Sequence, residues 1–259
     1  AYTRTHSYFE NSELAASGLP SAEELKILEP LRAQLDPKVF GSVVEVPQSD
    51  ASGIIREQQR RAYQLLKEAG WKIVDDKMVD ANGKPVSIEF LLAQTDFERV
   101  LLPYKRNLAD LGIELVIRRV DVSQYINRLR SRDFDMIVGG FGQSSSPGNE
   151  QREYWHSASA DNPGSRKFIV LKDPAVDSLV EGLINADSRH SLVAHTRALD
   201  RVLLAGYYVI PNWYIKTWRV AYWDRLQHPE VTPLYDVGLM TWWAKAGVPT
   251  APAPVNTEQ

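Results

Sequence analysis

The sequence predicts a layered α/β domain in which helices flank a sheet, and two observations carry this prediction. Between residues 52 and 138, segments with apolar residues at three- and four-residue spacing alternate with shorter apolar segments. Such alternation is typical of helices and strands joined by crossover connections. Glycines stand where the helical patterns stop, as expected for C-terminal caps. The expected order is helix, strand, helix, strand, helix, strand.

The first helix is predicted over residues 52–69, and Gly70 follows at the position of a C-terminal cap. An Asn82-Gly83 turn then precedes a strand over 86–92, in which every second residue is apolar. This helix and strand form the first repeat of the α/β pattern.

Asp96 is expected to cap a second helix that runs to about residue 111 and ends near Gly112. Pro103 should bend this helix, because proline removes one backbone hydrogen bond. The remaining apolar patterns predict a strand over 113–120, a helix over 121–132 and a strand over 134–138.

Two further helices are predicted in the C-terminal half. Asp173-Pro174 supplies an N-cap and a proline at the first helical position. The second helix starts at Asp187 or Ser188 and closes at Gly206. The segment 207–215 then reads as a strand at a sheet edge or with a bulge, because Pro211 cannot donate to a ladder.

The two ends of the chain are expected to lie outside the core, which we assign to residues 49–225. Residues 1–48 are irregular and hold one helix signal, in which Ser21 can cap and Glu24 can close a capping box. The end, 226–259, is predicted to be a return segment with a disordered Pro/Ala-rich tail.

Composition excludes several classes of protein. The formal net charge of −3 lacks the basic signature of a nucleic-acid-binding chain, so no nucleic acid is expected as a partner. The absence of cysteine excludes disulfides, thiolate metal sites and cysteine nucleophiles. No apolar run is long enough to span a bilayer, and the polar start does not resemble a signal peptide.

The loop from Gly139 to Trp155 follows the predicted strand over 134–138 and is the candidate site. It does not match the phosphate-binding pattern G-x-x-x-x-G-K-[ST]. Gly140 and Gly142 begin a dinucleotide fingerprint, but Ser145 stands where its third glycine belongs. A nucleotide is therefore disfavoured, and we expect no cofactor.

The loop also contains three consecutive serines, Ser144 to Ser146, which leave open a Ser-dependent hydrolase. A serine nucleophile needs a base within hydrogen-bond reach, and the nearest candidate in sequence is His156. No G-x-S-x-G elbow is present. A run of serines that binds solvent or a ligand is the favoured interpretation.

Metal and phosphate sites find little support elsewhere. His190 and His195 are five residues apart, which places them on different faces of their helix. Arg128, Arg130 and Arg132 are interpreted as surface salt-bridging residues. By elimination, the Gly/Ser/Asn loop is more credible as a loop that hydrogen-bonds polar groups of a ligand than as a catalytic site.

The segments "REQQRRAYQLLKEAGW", "LADLGIELVIRRV" and "RDFDMIVGGFG", in this order, resemble the C-terminal lobe of family 5 solute-binding proteins. These are the oligopeptide- and dipeptide-binding receptors of ABC importers. The resemblance covers about residues 50–225. Two further stretches, "TRTHSYFENSELAASGLP" and "SSSPGNEQREYWHSASADNPGSR", resemble the YejA-like branch of that family.

The resemblance implies a periplasmic binding protein type II-like C-terminal lobe, periplasmic location and no catalysis. Two lobes of such receptors close over a ligand, and an ABC permease in the inner membrane receives it. Family members are about twice as long as this chain. The segment 1–48 would then pack on a missing N-terminal lobe of the same protein.

The resemblance also suggests how the loop would meet a peptide or peptide-like ligand. Phe141 fits the position of an aromatic residue in the family's loop, but Ser144 falls where peptide-binding relatives usually carry an Asp that pairs with the α-ammonium group. Recognition of a free amino terminus at this position is therefore in doubt. The predicted ligand-binding residues are Phe141, Gln143, Ser144, Ser145, Asn149 and Arg152.

Arg152 could hold a ligand carboxylate, or it could pair with its neighbours Glu150 and Glu153. A different kind of function is also open: the aromatic C-terminal part could dock another protein. That interpretation requires a continuous exposed patch built from Trp213, Trp218, Trp242 and Trp243.

Overall fold

The fold is described by a computed structural model, which covers residues 2–50, 52–162, 165, 168–233 and 236–247. The chain divides into two compact units, one of residues 6–211 and one that joins residues 1–5 to 212–259. The predicted tail 248–259 lies outside the described residues. In the described residues, no helix is both long and apolar enough to cross a membrane.

The larger unit contains seven α-helices and four strands within the described residues. Its helices are α1 (Ala22–Leu28), α2 (Arg56–Glu68), α3 (Glu98–Ala109), α4 (Val122–Ser131), α5 (Glu150–Trp155), α6 (Pro174–Ile184) and α7 (Arg189–Ala205). The first strand of the chain, β1 (Thr3–Arg4), belongs to the smaller unit. The four strands of the larger unit are β2 (Lys72–Val74), β3 (Lys77–Val79), β4 (Ser87–Leu92) and β5 (Glu114–Arg119). Short 3-10 turns occupy Glu29–Gln34, Pro37–Phe40 and Ser157–Ser159.

The predicted helices and most of their caps are confirmed. The side chains of Asp173 and Ser188 accept backbone N–H groups at the starts of α6 and α7, as predicted. Asp121, predicted as the first residue of its helix, instead caps α4 through its side chain. Asp96 does not act as predicted: α3 follows Phe97, and no side chain caps it. The carbonyl of Thr95 accepts the N–H of Glu98 instead, at 2.9 Å.

The strands β4 and β5 run parallel, with Ser87 opposite Glu114 and Leu92 opposite Arg119. They are joined by the crossover helix α3, as the alternating pattern predicts. The hairpin of β2 and β3 is antiparallel. Helix and strand thus alternate here as in an α/β lobe.

The predicted third strand, 134–138, is reduced to one parallel bridge between Met136 and Phe90. Met136 exchanges backbone hydrogen bonds with Glu89 and Leu91 at 3.0 and 2.9 Å. The Asp135 carboxylate accepts the N–H of Glu89 at 2.7 Å. A side chain thus occupies the donor that a longer ladder would use, and the pairing stops there.

Two clusters of buried residues form the hydrophobic core, where the sequence predicted one. The smaller cluster contains Phe90, Leu92, Leu101 and Leu115, which fill the space between α3 and the β4–β5 pair. The larger cluster surrounds α5, α6 and α7 and includes Trp155, Leu179 and Leu199. Separate clusters form because the β4–β5 pair and the helical group each bury their own apolar faces.

The N-terminal segment belongs to the larger cluster, which corrects the expectation that residues 1–48 lie outside the core. Its buried members are Phe9, Leu14, Leu28, Leu35 and Val39. Ser21 caps α1 as predicted, with its hydroxyl accepting the N–H of Glu24. The Glu24 side chain does not close a capping box, because it forms an ion pair with Arg201 on α7. Hydrophobic contact and this ion pair attach the segment to the helices.

The smaller unit holds short antiparallel pairs. Its β1 pairs with β6 (Trp213–Tyr214), and β7 (Leu226–Gln227) pairs with β8 (Trp243–Ala244). A 3-10 turn spans Leu239–Thr241. The predicted strand 207–215 is therefore reduced to two residues, and the boundary of the larger unit falls at Pro211 instead of residue 225.

Candidate ligand-binding site

The candidate loop was predicted over residues 139–155, but residues 150–155 form α5. The loop therefore spans residues 139–149 and connects the Met136 bridge to α5. The start of the loop is placed by the sheet, because Met136 is hydrogen-bonded to Glu89 and Leu91. A Cβ atom added at Gly139, Gly140 or Gly142 would meet no heavy atom within 4 Å. Space is therefore open beside the loop backbone, and a bound molecule could approach its N–H and C=O groups.

Phe141 anchors the loop through aromatic contacts. Its ring centroid lies 4.6 Å from that of Trp155, 5.6 Å from Tyr154 and 5.7 Å from Tyr8. The side chain is half-buried against the larger core cluster. Edge-to-face and tilted packing of this kind adds stability beyond area burial, so Phe141 holds the loop at a set depth in the unit.

Gln143 is held by a buried partner that sequence reasoning missed. The Nε2 of Gln151, a completely buried residue on α5, donates to Gln143 Oε1 at 2.6 Å. Gln151 Oε1 accepts from the indole Nε1 of Trp155 at 3.0 Å. The spacing of Gln151 and Trp155, four residues along a helix, was the one local signal of this contact.

Ser144 and Ser145 are exposed on the loop. The Ser144 hydroxyl accepts the N–H of Ser146 at 3.2 Å, and the Ser145 carbonyl accepts from Arg189 at the start of α7. Arg189 also donates through Nε to Glu13 at 2.8 Å. Within the described part of the chain, no histidine is hydrogen-bonded to the hydroxyls of Ser144 to Ser146.

Arg152 pairs with a residue that the sequence did not suggest. Its Nε and Nη2 each lie 2.6 Å from a carboxylate oxygen of Glu181 on α6, and its Nη1 donates to Asn149 Oδ1 at 2.9 Å. The bond from Arg152 lowers the pKa of Glu181. Neither Glu150 nor Glu153 is the partner: Glu150 accepts the N–H of Gly148 at 2.9 Å.

His156 lies beside Glu181 and a second acidic residue of α6, Asp177. Its ring nitrogens are 3.8 Å from Asp177 and 3.7 Å from Glu181, and Nδ1 accepts the N–H of Ala158 at 3.1 Å. No cluster suited to a metal ion is found among the described residues. The ion pair of Arg152 and Glu181 joins α5 to α6, and His156 lies beside it.

The tryptophans of the smaller unit are placed differently from one another. Trp213, Trp218 and Trp243 are exposed, whereas Trp242 is half-buried. Trp242 packs on Tyr222 and His228, with ring centroids 4.7 and 5.1 Å apart. Trp213 packs edge-on against Tyr2 at 5.8 Å. Trp243 donates through its indole Nε1 to Gln227 Oε1 at 3.0 Å. At least three of the four tryptophans are therefore engaged by neighbours in the same unit.

An open polar loop without charged side chains thus follows the parallel strand pair, at a place where binding sites often form in α/β proteins. Comparison with known proteins agrees: the family model of bacterial extracellular solute-binding proteins, family 5 (middle part), matches residues 34–163. The chain belongs to this family, and its fold is the α/β lobe of a solute-binding protein.

Relatives and solved structures extend the match to nearly the whole chain. The chain is 45% identical over 249 residues to the "probable peptide-binding protein YejA" of Agrobacterium fabrum, covering 95% of this chain and 41% of the relative. It is also 45% identical over 257 residues to the uncharacterized protein y4wM of Sinorhizobium fredii, covering 98% of this chain and 39% of that protein.

Among solved structures, the oligopeptide-binding protein AppA of Bacillus subtilis, in complex with a nonapeptide, superposes with a TM-score of 0.59 at 18% identity. The match covers 86% of this chain and 45% of AppA. The chain thus spans about two fifths of the length of the curated relatives it matches.

Proposed function

We propose that the chain is the C-terminal ligand-binding lobe of a periplasmic receptor that delivers oligopeptides or peptide-like compounds to an ABC permease in the inner membrane. Membership in the extracellular solute-binding family supports a binding role. The names of the relative YejA and of the structural neighbour AppA both refer to peptide binding. The remaining part of the ligand cleft would come from an N-terminal lobe of the same protein.

The observation that carries the proposal is the loop 139–149, which is anchored at its base and open along its glycines. Gln143, Ser144 and Ser145 would bond polar groups of the ligand, and Phe141 would pack against it. Asn149 and Arg152 would stand at the end of the site, where Arg152 is already held by Glu181. This arrangement provides hydrogen bonding without a fixed charge on the loop.

Binding is favoured over Ser-dependent hydrolysis on chemical grounds. A serine nucleophile needs a base in hydrogen-bond contact. In the part of the chain that the structure describes, the Ser144 hydroxyl is occupied by the N–H of Ser146, and His156 is directed to Ala158, Asp177 and Glu181. The loop therefore lacks the pairing that activates a hydroxyl.

Native mass spectrometry of the full-length receptor, purified from its host, tests the proposal. We expect peptides or peptide-like compounds to be released on denaturation. A receptor that carries only unrelated solutes would contradict the proposed ligand class. A test for esterase activity on generic substrates should be negative, and turnover that is lost in a Ser144→Ala variant would establish the hydrolase instead.

Isothermal titration separates the contribution of this lobe to ligand affinity from that of the rest of the receptor. The full-length receptor and the chain alone would be titrated with the same peptide. We expect the chain alone to bind much more weakly, because half of the proposed cleft is missing. Equal affinity would show that the other lobe contributes nothing and that the two-lobed cleft is the wrong description.

A further inference from the structure

Three side chains at the base of the loop form a hydrogen-bonded series with one possible direction. The indole Nε1 of Trp155 can only donate, so its partner at 3.0 Å must be the amide oxygen of Gln151. The Nε2 of Gln151 then faces Gln143 Oε1 at 2.6 Å. The oxygen of Gln143 is therefore used inside the protein, and its amino group is directed away from this partner.

That amino group has no acceptor within the described residues: Gln143 Nε2 is buried and forms no hydrogen bond. The acidic residues nearby have other partners. Glu150 accepts hydrogen bonds from Gly148 and Gln151. Glu181 accepts from Arg152. Buried amide donors are paired in the great majority of folded proteins. An unpaired donor in a loop proposed to face a ligand points to a missing acceptor.

The backbone on both sides of Gln143 is open to a ligand. Gly142 and Ser144, on either side of Gln143, are exposed, and no heavy atom lies within 4 Å of a Cβ placed at Gly142. The bond to the completely buried Gln151 fixes the far end of the Gln143 amide. The exposed backbone on both sides of Gln143 is where a ligand oxygen would approach this donor.

We infer that the Gln143 amide donates to a carbonyl or carboxylate oxygen of the ligand, and that this contact selects ligands with an acceptor at this position. The inference rests on the proposed function. No Asp or Glu occurs between residues 139 and 149, so the loop contains no carboxylate to pair with an ammonium group. Its serines and exposed backbone N–H groups add further donors. The loop is thus matched to the oxygen atoms of a peptide backbone or carboxyl terminus.

The deciding variant is Gln143→Glu in the full-length receptor. It keeps the oxygen that Gln151 uses and replaces only the amino group. The control is Gln58→Glu on α2, which also replaces an amide donor, there bonded to the Gln48 carbonyl at 2.7 Å. The probe is an equimolar pool of tri-, tetra- and pentapeptides with free termini, and affinities are measured by competitive native mass spectrometry.

We expect Gln143→Glu to weaken binding of the pool on the order of tenfold or more, with Gln58→Glu unchanged. If the wild-type receptor binds the pool and the affinity of Gln143→Glu is within twofold of the wild-type affinity, the inference is overturned and the proposed function stays intact. If the wild-type receptor binds no peptide in the pool, the proposed ligand class fails, and the inference fails with it.

A second measurement covers the case in which Gln143→Glu does not fold. In the wild-type receptor, the side-chain amide protons of Gln143 would be followed by NMR while the tightest peptide of the pool is added. A new hydrogen bond to an oxygen should move these signals downfield. Signals that stay in place at saturation would overturn the inference.

Discussion

The guanidinium Nε of Arg201 lies 2.5 Å from Glu24 Oε2, and both side chains are almost completely buried, at 1% and 4% exposure. The other nitrogens of Arg201 donate to the carbonyls of Ser17, Gly18 and Gly41 at 2.8, 3.0 and 3.4 Å. One side chain on α7 thereby satisfies a carboxylate and three backbone groups of the N-terminal segment. A buried charge of this kind is tolerated only with such complete pairing.

Arg201→Met should therefore destabilise the protein by about 3–5 kcal/mol, because it leaves Glu24 as an unpaired buried charge. The free energy of unfolding would be measured by urea titration. Arg61→Met is the matched control, since Arg61 and Glu68 form an ion pair at the surface with 61% and 67% exposure. The control should change stability by less than about 1 kcal/mol. Similar losses for both variants would show that burial does not determine the effect.

Asp200, next to Arg201, should respond to pH in the opposite sense to most carboxylates. Burial raises its pKa to about 6, despite hydrogen bonds from Ala16, Ser7 and Tyr8. Since the unfolded side chain titrates near 3.8, the folded state holds its proton more tightly. The stability contribution of Asp200 is then fully present below about pH 4 and is lost as pH rises through 6, by on the order of 3 kcal/mol.

Carbon-13 NMR of the side-chain carboxyls provides the measurement, with a midpoint near 6 expected for Asp200. Asp50 is the internal reference, because hydrogen bonds from Ser52 lower its pKa below the usual value. Asp200→Asn should remove this group's contribution to the change in unfolding free energy between pH 4 and 6. A midpoint at or below 4 for Asp200 would mean that its three donors outweigh burial.

Gly112 should be sensitive to substitution for two separate reasons. Its φ of +75° is unfavourable for other residues, and an added Cβ would lie 2.6 Å from the backbone nitrogen of Met78. Gly83 has a similar φ of +81° but no atom within 4 Å. Gly83→Ala should cost about 1–2 kcal/mol from backbone strain alone. Gly112→Ala should cost clearly more in the same denaturant titration, and equal values would rule out the steric contribution.

Ser144→Asp addresses ligand specificity. A carboxylate at this exposed loop position should increase the affinity of the full-length receptor for peptides with a free amino terminus on the order of tenfold, as expected for a net gain of about 1.4 kcal/mol. Isothermal titration with free and N-acetylated peptides would measure the difference. Ser146→Asp is the control, because it places the same charge two residues away on the same exposed loop. No difference between Ser144→Asp and wild type would indicate that Ser144 does not face the ligand.

The site residues illustrate how far the loop could be predicted from sequence. A polar loop with glycines after the predicted strand 134–138 was evident, and in the structure space is open beside Gly139, Gly140 and Gly142. The partners of its side chains were not evident. The neighbouring Glu150 and Glu153 were considered as ion-pair partners of Arg152, but its partner is Glu181, 29 residues away on another helix. Adjacent charges in sequence say little about contacts between helices.

The sequence by itself determined most of the helices and most of their caps, because those signals act within one to four residues. Ser21 and Ser188, for example, each accept an N–H group three residues ahead. Only the tertiary structure decided that the N-terminal segment enters the core. Its contacts join residues far apart, such as Ser7 and Asp200, which are separated by 193 positions. A buried polar group requires a partner, but the sequence does not state which distant group the folded chain will bring to it.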